Sequence, residues 1–227
     1  MSANGVHNVV IVGASGVVGA RVLHHLLDHP LVGRVTAIGR RPLLQKHAKL
    51  VSVVANLSSS SSICTVTPDE VTVAFCCLGT TMKAAGSKEA FRAIDHGAVI
   101  AFATAIHQKG GKRFVLLTSA GASTTSGNFY LKTKGAVEDA VADIGFESFV
   151  TLRPSILDDG GKRQEQRLGE QVVLPVARAI FSLIGKTHRW APIGIDVVGT
   201  AMVRLGFDAT NQRVRVIESD QIHAVVG

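Results

Sequence analysis

The sequence has few cysteines, the residues that mark disulfide-rich proteins and many structural metal sites. It contains only three cysteines, an odd number without the spacing of metal ligands. Cys76 and Cys77 are adjacent in an apolar run, where buried thiols of a core strand are the ordinary interpretation. We therefore expect neither a disulfide framework nor a metal site, and we expect the reducing cytoplasm as the compartment.

Long apolar runs and aromatic residues are also scarce. No apolar run reaches the length of a membrane span, and Met1–His7 lacks the charged region and cleavage site of an export signal. Aromatic residues make up 5% of the chain and no basic run is interleaved with them, so the net charge of +7 does not indicate nucleic acid. We expect no nucleic-acid partner and no membrane span. The basic balance suits a phosphate-rich cofactor or an acidic substrate.

The length and the order of patterns predict one domain. A chain of 227 residues that is 46% hydrophobic suffices for one large α/β domain and is short for two. Strand patterns alternate with helical patterns, which predicts an α/β fold with a doubly wound parallel sheet. We expect a single domain over residues 1–227, with a small substrate-side region formed by residues 155–200. The predicted strands are Val9–Val12, Val35–Gly39, Leu50–Val54, Val71–Leu78, Arg113–Thr118, Phe149–Arg153 and Val214–Val216.

The strongest pattern lies in Asn8–His29. A β-branched run, Val9–Val12, is followed by Gly13, Gly16 and Gly19 in the spacing G-x-x-G-x-x-G and then by helical periodicity. In a dinucleotide-binding turn the first glycine allows a sharp bend, the second leaves space for a pyrophosphate, and the third lets the helix pack on the sheet. The alternative is a strand and helix joined by a glycine turn that binds no ligand.

The end of the second predicted strand lacks an acidic residue. In dinucleotide folds an acid at this place accepts the ribose 2′-hydroxyl of NAD, whereas arginine accommodates the 2′-phosphate of NADP. Here Arg40 and Arg41 follow the strand, and their planar guanidinium groups suit phosphate. We therefore expect NADP(H) as the cofactor. The alternative is two solvated surface arginines before Pro42.

Three segments between the strands carry further expectations. The serine run Ser58–Ser62 is predicted to be a loop, because serine favours turns and caps. Ser87–Gln108 is predicted to be a long helix whose apolar pattern is interrupted by Asp95 and His96, with His96 on its surface. Asp196–Leu205 is predicted to be a short helix.

A polar stretch follows the sixth predicted strand. Asp158–Gln171 lies at the carboxyl end of the sheet and contains Gly160 and Gly161 as candidate hinges, so we expect a mobile flap over the substrate side. The alternative is a solvated connection without a function. A helix is predicted for Val172–Ile184.

Three residues form a candidate catalytic set. Ser119 ends the fifth predicted strand and is followed by a loop of small polar residues. Tyr130 and Lys134 are four positions apart on the next helix, so their side chains project from the same face. The spacing alone is common by chance, but the serine, the loop and the pair in this order are more specific.

These stretches together resemble the short-chain dehydrogenase/reductase superfamily. More narrowly, the sequence is similar to the atypical branch that includes the Tat-interacting, tumour-suppressor-like oxidoreductases and their bacterial relatives. The better-known members have Asn-Asn-Ala-Gly after the fourth strand, where this chain has Cys-Leu-Gly-Thr. The matching stretches span most of the chain: Gly13–Gly19, Gly39–Arg41, Cys76–Thr81 with Lys83, Ala85, Gly86 and Asp95, Leu116–Ala122, Tyr130–Gly135 with Glu138, Leu152–Pro154 and Arg163–Arg167.

The resemblance implies a seven-stranded Rossmann sheet that binds NADP(H), with Ser119, Tyr130 and Lys134 as catalytic residues. A free tyrosine is a poor base at neutral pH, but a nearby ammonium and an oxidised nicotinamide favour the phenolate. Tyr130 would exchange a proton with the substrate oxygen, Ser119 would donate a hydrogen bond to that oxygen, and Lys134 would also hold the ribose hydroxyls. The alternative is that Tyr130 is a half-buried amphipathic residue and that Lys134 is solvated.

The residues expected to contact the cofactor lie at the glycine turn and after the carboxyl ends of the strands. They are Gly13, Ser15, Gly16, Val17, Gly19, Arg40, Arg41, Asn56, Leu57, Leu78, Gly79, Thr80, Thr118, Arg153, Pro154, Ser155 and Ile156.

Two classes of function follow from these patterns. The first is an NADP(H)-dependent oxidoreductase that acts on a small carbonyl or alcohol, as a monomer or homodimer. The second is a non-catalytic redox-sensing regulator or partner-binding module for which the nucleotide is a structural ligand. A sugar-nucleotide epimerase is disfavoured, because the chain after Pro154 is short for the substrate domain which that activity usually needs.

Overall fold

A computed structural model describes residues 6–158, 189–208 and 211–227. The strands are β1 (His7–Val12), β2 (Val32–Gly39), β3 (Leu50–Val54), β4 (Val73–Cys76), β5 (Arg113–Leu117), β6 (Ser148–Arg153), β7 (Leu157–Asp158), β8 (Ile193–Gly194) and β9 (Val214–Glu218). The helices are α1 (Val17–Asp28), α2 (Ser60–Val66), α3 (Met82–Ala85), α4 (Lys88–Arg92), a π-helical segment (Ala93–Ala98), α5 (Val99–Gln108), α6 (Phe129–Ile144), α7 (Ile195–Phe207) and α8 (Ser219–Val226).

Seven strands form one sheet in the order β3-β2-β1-β4-β5-β6-β9, and every neighbouring pair is parallel. The predicted doubly wound α/β domain is therefore confirmed. The chain reverses its direction across the sheet between β1 and β4, and this switch point is where open α/β sheets bind ligands beyond the carboxyl ends of their strands. The short strands β7 and β8 form a separate parallel pair.

The core consists of one apolar layer on each face of the sheet. Successive residues of β1 point to opposite faces, so Val9 and Ile11 pack in one layer while Val10 and Val12 pack in the other. The first layer includes α1 and α7, and the second includes α2, α5 and α6. Burial on both faces explains why β1 is a continuous β-branched run rather than an alternating one.

The loop expected for the serine run is wrong. Helix α2 begins at Ser60 because the side chain of Ser59 accepts a hydrogen bond from the backbone N–H of Ser62, at 3.2 Å. Serine disfavours helix interiors but is among the best residues at a helix N-cap, and Ile63 anchors this helix in the core with no exposure. The hydroxyl-rich run therefore starts a helix.

The long helix expected over Ser87–Gln108 is divided into three parts. Helix α4 passes into the π-helical segment at Ala93, and α5 continues from Val99. Helix α3, helix α8 and the β7–β8 pair were not predicted. The capping box between Glu218 and Gln221 that starts α8 was the available signal.

Most of the segment after the sixth strand lies outside the described residues. Residues 159–188 contain the expected flap, apart from its first residue Asp158, and the predicted helix Val172–Ile184. The described parts of the expected substrate-side region are 155–158 and 189–200. In the part of the chain that the structure describes, no helix is long and apolar enough to cross a membrane.

Two histidines flank Phe207 at the amino end of the sheet. The ring centroids of His7 and His29 lie 4.9 Å and 4.6 Å from that of Phe207. Burial lowers the pKa of His7, with a smaller effect from the charge of Arg113. Burial also lowers the pKa of His29, with smaller effects from His7 and Lys49. Both rings therefore favour the neutral form in the folded protein.

Acidification should consequently destabilise the fold. An unfolded histidine titrates near 6.5, and a folded histidine with a lowered pKa binds fewer protons, so the free energy of unfolding falls as the pH drops through about 6.5. We expect His29→Asn to reduce this pH dependence, because asparagine does not titrate. The asparagine can still accept the hydrogen bond from the backbone N–H of Leu31, so the local structure should be kept. Chemical denaturation at a series of pH values measures the effect.

The matched control is His47→Asn. His47 is exposed and accepts the same kind of hydrogen bond from a backbone N–H two residues later, that of Lys49, at 3.1 Å. We expect this control to leave the pH dependence of unfolding unchanged. An equal effect of both substitutions would contradict the assignment to the stack around Phe207.

Candidate functional site

A cleft of about 750 Å³ opens at the carboxyl edge of the sheet, beside the switch point. Four loops and the π-helical segment form its walls, as expected for the dinucleotide site of this topology. The lining residues are Gly13, Ala14, Ser15, Gly16, Ala37, Ile38, Gly39, Arg40, Arg41, Pro42, Leu43, Leu44, Asn56, Leu57, Ser58, Cys77, Leu78, Gly79, Thr80, Ala93, Ile94 and Ala98.

Two of the three motif glycines are required by the protein's own backbone. Gly13 has a φ of +80°, and a Cβ there would lie 2.5 Å from the carbonyl oxygen of Cys77. A Cβ at Gly19 would lie 2.0 Å from the carbonyl oxygen of Gly13. Gly13 therefore lets the turn pack against the end of β4, and Gly19 lets α1 pack against the turn.

The protein's own structure does not explain the third glycine. Gly16 has an ordinary φ of −78°, and the nearest atom to a Cβ there would be the carbonyl oxygen of Gly13, at 3.2 Å. Gly16 is exposed to the cleft and is the N-cap of α1, without a side-chain cap. The first N–H groups of a helix are free to bind an anion, and a bare Cα leaves space for one. These features fit a nucleotide pyrophosphate.

Gly16→Val should abolish nucleotide binding and leave the fold intact. The new side chain would occupy the position expected for the pyrophosphate, whereas its cost within the protein is a small shift plus about 1 kcal/mol for a poor N-cap residue. Circular dichroism would test the fold, and titration of NADPH fluorescence would test binding.

Gly19→Ala is the contrasting variant, because its methyl group would collide with backbone atoms. We expect this variant to be strongly destabilised. A folded Gly16→Val variant that binds NADPH with wild-type affinity would show that the glycine loop is not the nucleotide site.

The arginines after β2 lie at one end of the cleft. Arg40 and Arg41 are exposed, and neither guanidinium makes a hydrogen bond or ion pair within the described ranges. Gly39 allows the tight turn between them and the strand, since a Cβ there would lie 3.1 Å from the carbonyl oxygen of Arg41. Leu44, in the same loop, is 97% exposed. This end of the cleft thus presents two positive charges beside an apolar surface.

Of the expected cofactor residues, ten line the cleft. They are Gly13, Ser15, Gly16, Arg40, Arg41, Asn56, Leu57, Leu78, Gly79 and Thr80. Sequence reasoning missed the contributions of Ala93, Ile94 and Ala98, which line the cleft from the π-helical segment.

Seven expected cofactor residues lie outside this lining. Val17 and Gly19 belong to α1, while Pro154, Ser155 and Ile156 follow β6. The backbone carbonyl of Pro154 accepts a hydrogen bond from the N–H of Ala120 at 2.9 Å, which joins this segment to the loop after Ser119. Thr118 and Arg153 belong to a separate buried network. The cofactor contacts of these seven residues stay predictions.

The buried network is centred on Glu138 of α6. Thr118 and Thr151 donate hydrogen bonds to its carboxylate, and the guanidinium of Arg153 binds it through two nitrogens. Arg153 also donates to Glu218 at 2.9 Å. These bonds, the one to Glu138 above all, raise the pKa of Arg153. The arginine therefore fastens α6 to the ends of β6 and β9.

The structure places the three candidate catalytic residues at the carboxyl side of β5 and on α6. Ser119 follows β5 and is half-buried, and among the described residues its hydroxyl makes a single long contact, of 3.5 Å, to the carbonyl of Ala120. Tyr130 is half-buried with its ring 5.4 Å from that of Phe91. Lys134 has its Nζ 5.9 Å from the centroid of the Tyr130 ring. The ammonium and the phenol are thus neighbours.

Lys134 is not a solvated surface residue. It is 4% exposed, and its Nζ lies 2.7 Å from Oδ1 of Asp95, which is fully buried. Sequence reasoning noted Asp95 as an interruption of an apolar helix but assigned it no role in the site. A carboxylate in an apolar helical pattern was the available signal, because charged residues are almost never fully buried without a partner.

Comparison with known proteins identifies the family and several relatives of this chain. A family model described as NAD(P)H-binding matches residues 13–179. The chain is 36% identical over 218 residues to the protein named Fmp52, mitochondrial, of Emericella nidulans, covering 91% of this chain and 90% of that protein. It is 30% identical over 221 residues to the Fmp52 protein of Eremothecium gossypii, covering 96% and 97%.

Solved structures share the fold. A short-chain dehydrogenase/reductase superfamily protein of Agrobacterium tumefaciens with bound NAD has a TM-score of 0.70 at 14% identity, covering 93% of this chain and 77% of that one. The enzyme WbmH of Bordetella bronchiseptica in complex with NAD+ has a TM-score of 0.68 at 17% identity, covering 92% and 75%.

The fold and the glycine loop define an NAD(P)-binding protein with a Rossmann fold, as expected from the sequence. Within that class, the chain belongs to the NAD(P)H-binding family and is a relative of the Fmp52 proteins.

The expectation of a cytoplasmic location is wrong. It rested on the free thiols and on the absence of a recognised export signal. The fungal relatives are named as mitochondrial proteins. Thiols remain free in more than one compartment, so cysteine usage did not discriminate between them.

Proposed function

We propose that this chain is an NADP(H)-dependent oxidoreductase that transfers hydride to or from a small carbonyl or alcohol. The observation that carries the proposal is the buried ammonium of Lys134, one helical turn from Tyr130 and close to the cleft. A binding module needs the glycine loop but has no need of an ammonium beside a phenol. Within the described ranges the hydroxyl of Tyr130 has no hydrogen-bond partner and that of Ser119 has only its long contact to Ala120, so both could bind a substrate oxygen.

In this proposal the residues divide the chemistry among themselves. The bound cofactor supplies or accepts the hydride. In the direction of reduction, Tyr130 gives its phenolic proton to the carbonyl oxygen, and Ser119 donates a hydrogen bond to the same oxygen as negative charge develops. Lys134 stabilises the phenolate that remains and holds the ribose hydroxyls. The first turn of α1 binds the pyrophosphate.

We expect the protein to prefer NADPH over NADH. The exposed guanidinium groups of Arg40 and Arg41 would contact the 2′-phosphate, and hydrogen bonds to charged groups contribute about 1.5–3 kcal/mol each. The double variant Arg40→Ala/Arg41→Ala should therefore lose at least about tenfold in NADPH affinity and little in NADH affinity. Calorimetric titration of both cofactors measures the difference.

The control is Arg34→Ala/Lys46→Ala, which removes two exposed charges of the same sign outside the cleft lining. We expect a small loss for both cofactors through the general field, somewhat larger for the more highly charged NADPH but well below the loss caused by Arg40→Ala/Arg41→Ala. Equal affinities of the wild-type protein for NADPH and NADH would refute the proposed specificity.

Tyr130→Phe should remove turnover and preserve binding. The substitution deletes only the hydroxyl and keeps the ring against Phe91, so the fold and the NADPH affinity should be unchanged. Loss of a general acid lowers the rate by about 10²–10⁴-fold. Lys134→Ala should weaken both NADPH binding and turnover, because it serves two roles. Oxidation of NADPH by a panel of aldehydes and ketones measures the rates.

Lys132→Ala is the control on the same helix, since Lys132 is exposed and should be silent in both measurements. If no carbonyl compound oxidises NADPH above the uncatalysed rate, the chain is the nucleotide-binding regulator instead. If a substrate is reduced by Tyr130→Phe at the wild-type rate, the proton comes from another group.

A further inference from the structure

The π-helical segment directs a carboxylate into the interior of the protein. Asp95 is fully buried on this segment, and each of its oxygens has a different partner. Oδ1 lies 2.7 Å from Nζ of Lys134, and Oδ2 accepts a hydrogen bond from the backbone N–H of Thr80 at 2.8 Å. An extra residue in a helical turn commonly marks a functional site. Here the carboxylate of Asp95 joins α6 to the turn after β4.

The ion pair lies directly beneath the cleft. Gly79 is exposed and lines the cleft, and a Cβ at this position would lie 3.6 Å both from Oδ1 of Asp95 and from Nζ of Lys134. No side chain of Gly79 therefore stands between the pair and a bound ligand. The hydrogen bond to Thr80 holds this part of the cleft wall over the pair.

Asp95 is the carboxylate that faces the ammonium of Lys134. Within the described residues, the titratable groups that face its ammonium are Asp95, Tyr130 of the same helix, and Cys76 at the end of β4. Burial raises the pKa of Cys76 to about 12, so this thiol supplies no negative charge at neutral pH. Glu138, one turn along α6, is bound to Arg153. Asp95 is therefore the carboxylate that compensates the buried ammonium, and an uncompensated buried lysine tends to lose its proton.

We propose that Asp95 is a positioning residue of the nucleotide site. One carboxylate oxygen holds Lys134 in place as an ammonium beside Tyr130, and the other holds the Gly79–Thr80 wall of the cleft. The inference rests on the proposed function in one respect, the contact of Lys134 with the bound cofactor.

Asp95→Asn separates the two contacts. The amide oxygen still accepts a hydrogen bond from Thr80, but the amide nitrogen cannot compensate the ammonium. We expect Lys134 to lose its proton at a lower pH in this variant, so that the loss of NADPH affinity relative to the wild-type protein grows as the pH rises. Between about pH 6 and about pH 9 the ratio of the two dissociation constants should increase at least about tenfold. NADPH fluorescence measures it without any substrate.

Two further variants distinguish positioning from general stabilisation. In Asp95→Asn/Lys134→Met both partners are replaced, so thermal stability should recover relative to Asp95→Asn while the affinity stays at the level of Lys134→Met and shows no added pH dependence. Glu138→Gln removes a carboxylate of similar burial, 5% exposed, from α6. Its partner Arg153 keeps its proton throughout this pH range. The control should therefore lose thermal stability, while the ratio of its NADPH dissociation constant to that of the wild-type protein should not depend on pH.

The proposal would be overturned if the ratio of the NADPH dissociation constants of Asp95→Asn and the wild-type protein did not change with pH. A residue with a structural role alone would give that constant ratio. If Asp95→Asn does not fold, the double variant decides: a loss of more than about tenfold in NADPH affinity beyond that of Lys134→Met would show that Asp95 does not act through Lys134. Absence of any carbonyl turnover would refute the oxidoreductase and leave these binding measurements unaffected, so the two failures are distinguishable.

Discussion

The close approach of Gly13 to the end of β4 is the constraint on which the site depends. The Cα of Gly13 packs against the carbonyl of Cys77, and Gly19 packs in turn against Gly13, so backbone touches backbone without intervening side chains. This contact brings the amino end of α1 and the Cys77–Thr80 turn to the same edge of the sheet. Any side chain at Gly13 or Gly19 would separate them, and the cleft would lose two of its walls.

Helix α6 connects this cleft to the rest of the domain. Its buried charges lie one turn apart, and they pair in different directions: Lys134 with Asp95 under the cleft, and Glu138 with Arg153 at the ends of β6 and β9. Buried ion pairs add little net stability but are costly to break on one side. The two pairs therefore fix where α6 sits, and Tyr130 is placed by the same helix that both pairs hold.

The sequence predicted those features that depend on local pattern. Strand periodicity and the glycine spacing yielded the parallel sheet and ten residues of the cleft lining, because burial on two faces and a tight turn each leave a signature within a few residues. Asp95 and Arg153 show the limit of such reasoning. Their partners are distant in the chain, so only the tertiary structure reveals that one carboxylate joins Lys134 to Thr80 and that one guanidinium joins Glu138 to Glu218. Ser59 shows a different limit, because a cap and a loop have the same composition.

Charge is distributed unevenly along the cleft. One end is suited to binding the cofactor phosphate, and the buried ion pair is suited to the proposed proton transfer. The end near Arg40 and Arg41 carries exposed positive charge that no described residue pairs with, and such a charge attracts phosphate in a solvent-screened setting. Beneath Gly79, the ammonium of Lys134 is balanced by Asp95 and shielded from water, so its effect is local and extends chiefly to its neighbour Tyr130. A charge in a low-dielectric surrounding acts strongly over a few ångströms. A compensated ammonium beside a phenol is expected where a proton is transferred. This arrangement therefore supports the proposed oxidoreductase over the non-catalytic nucleotide-binding module.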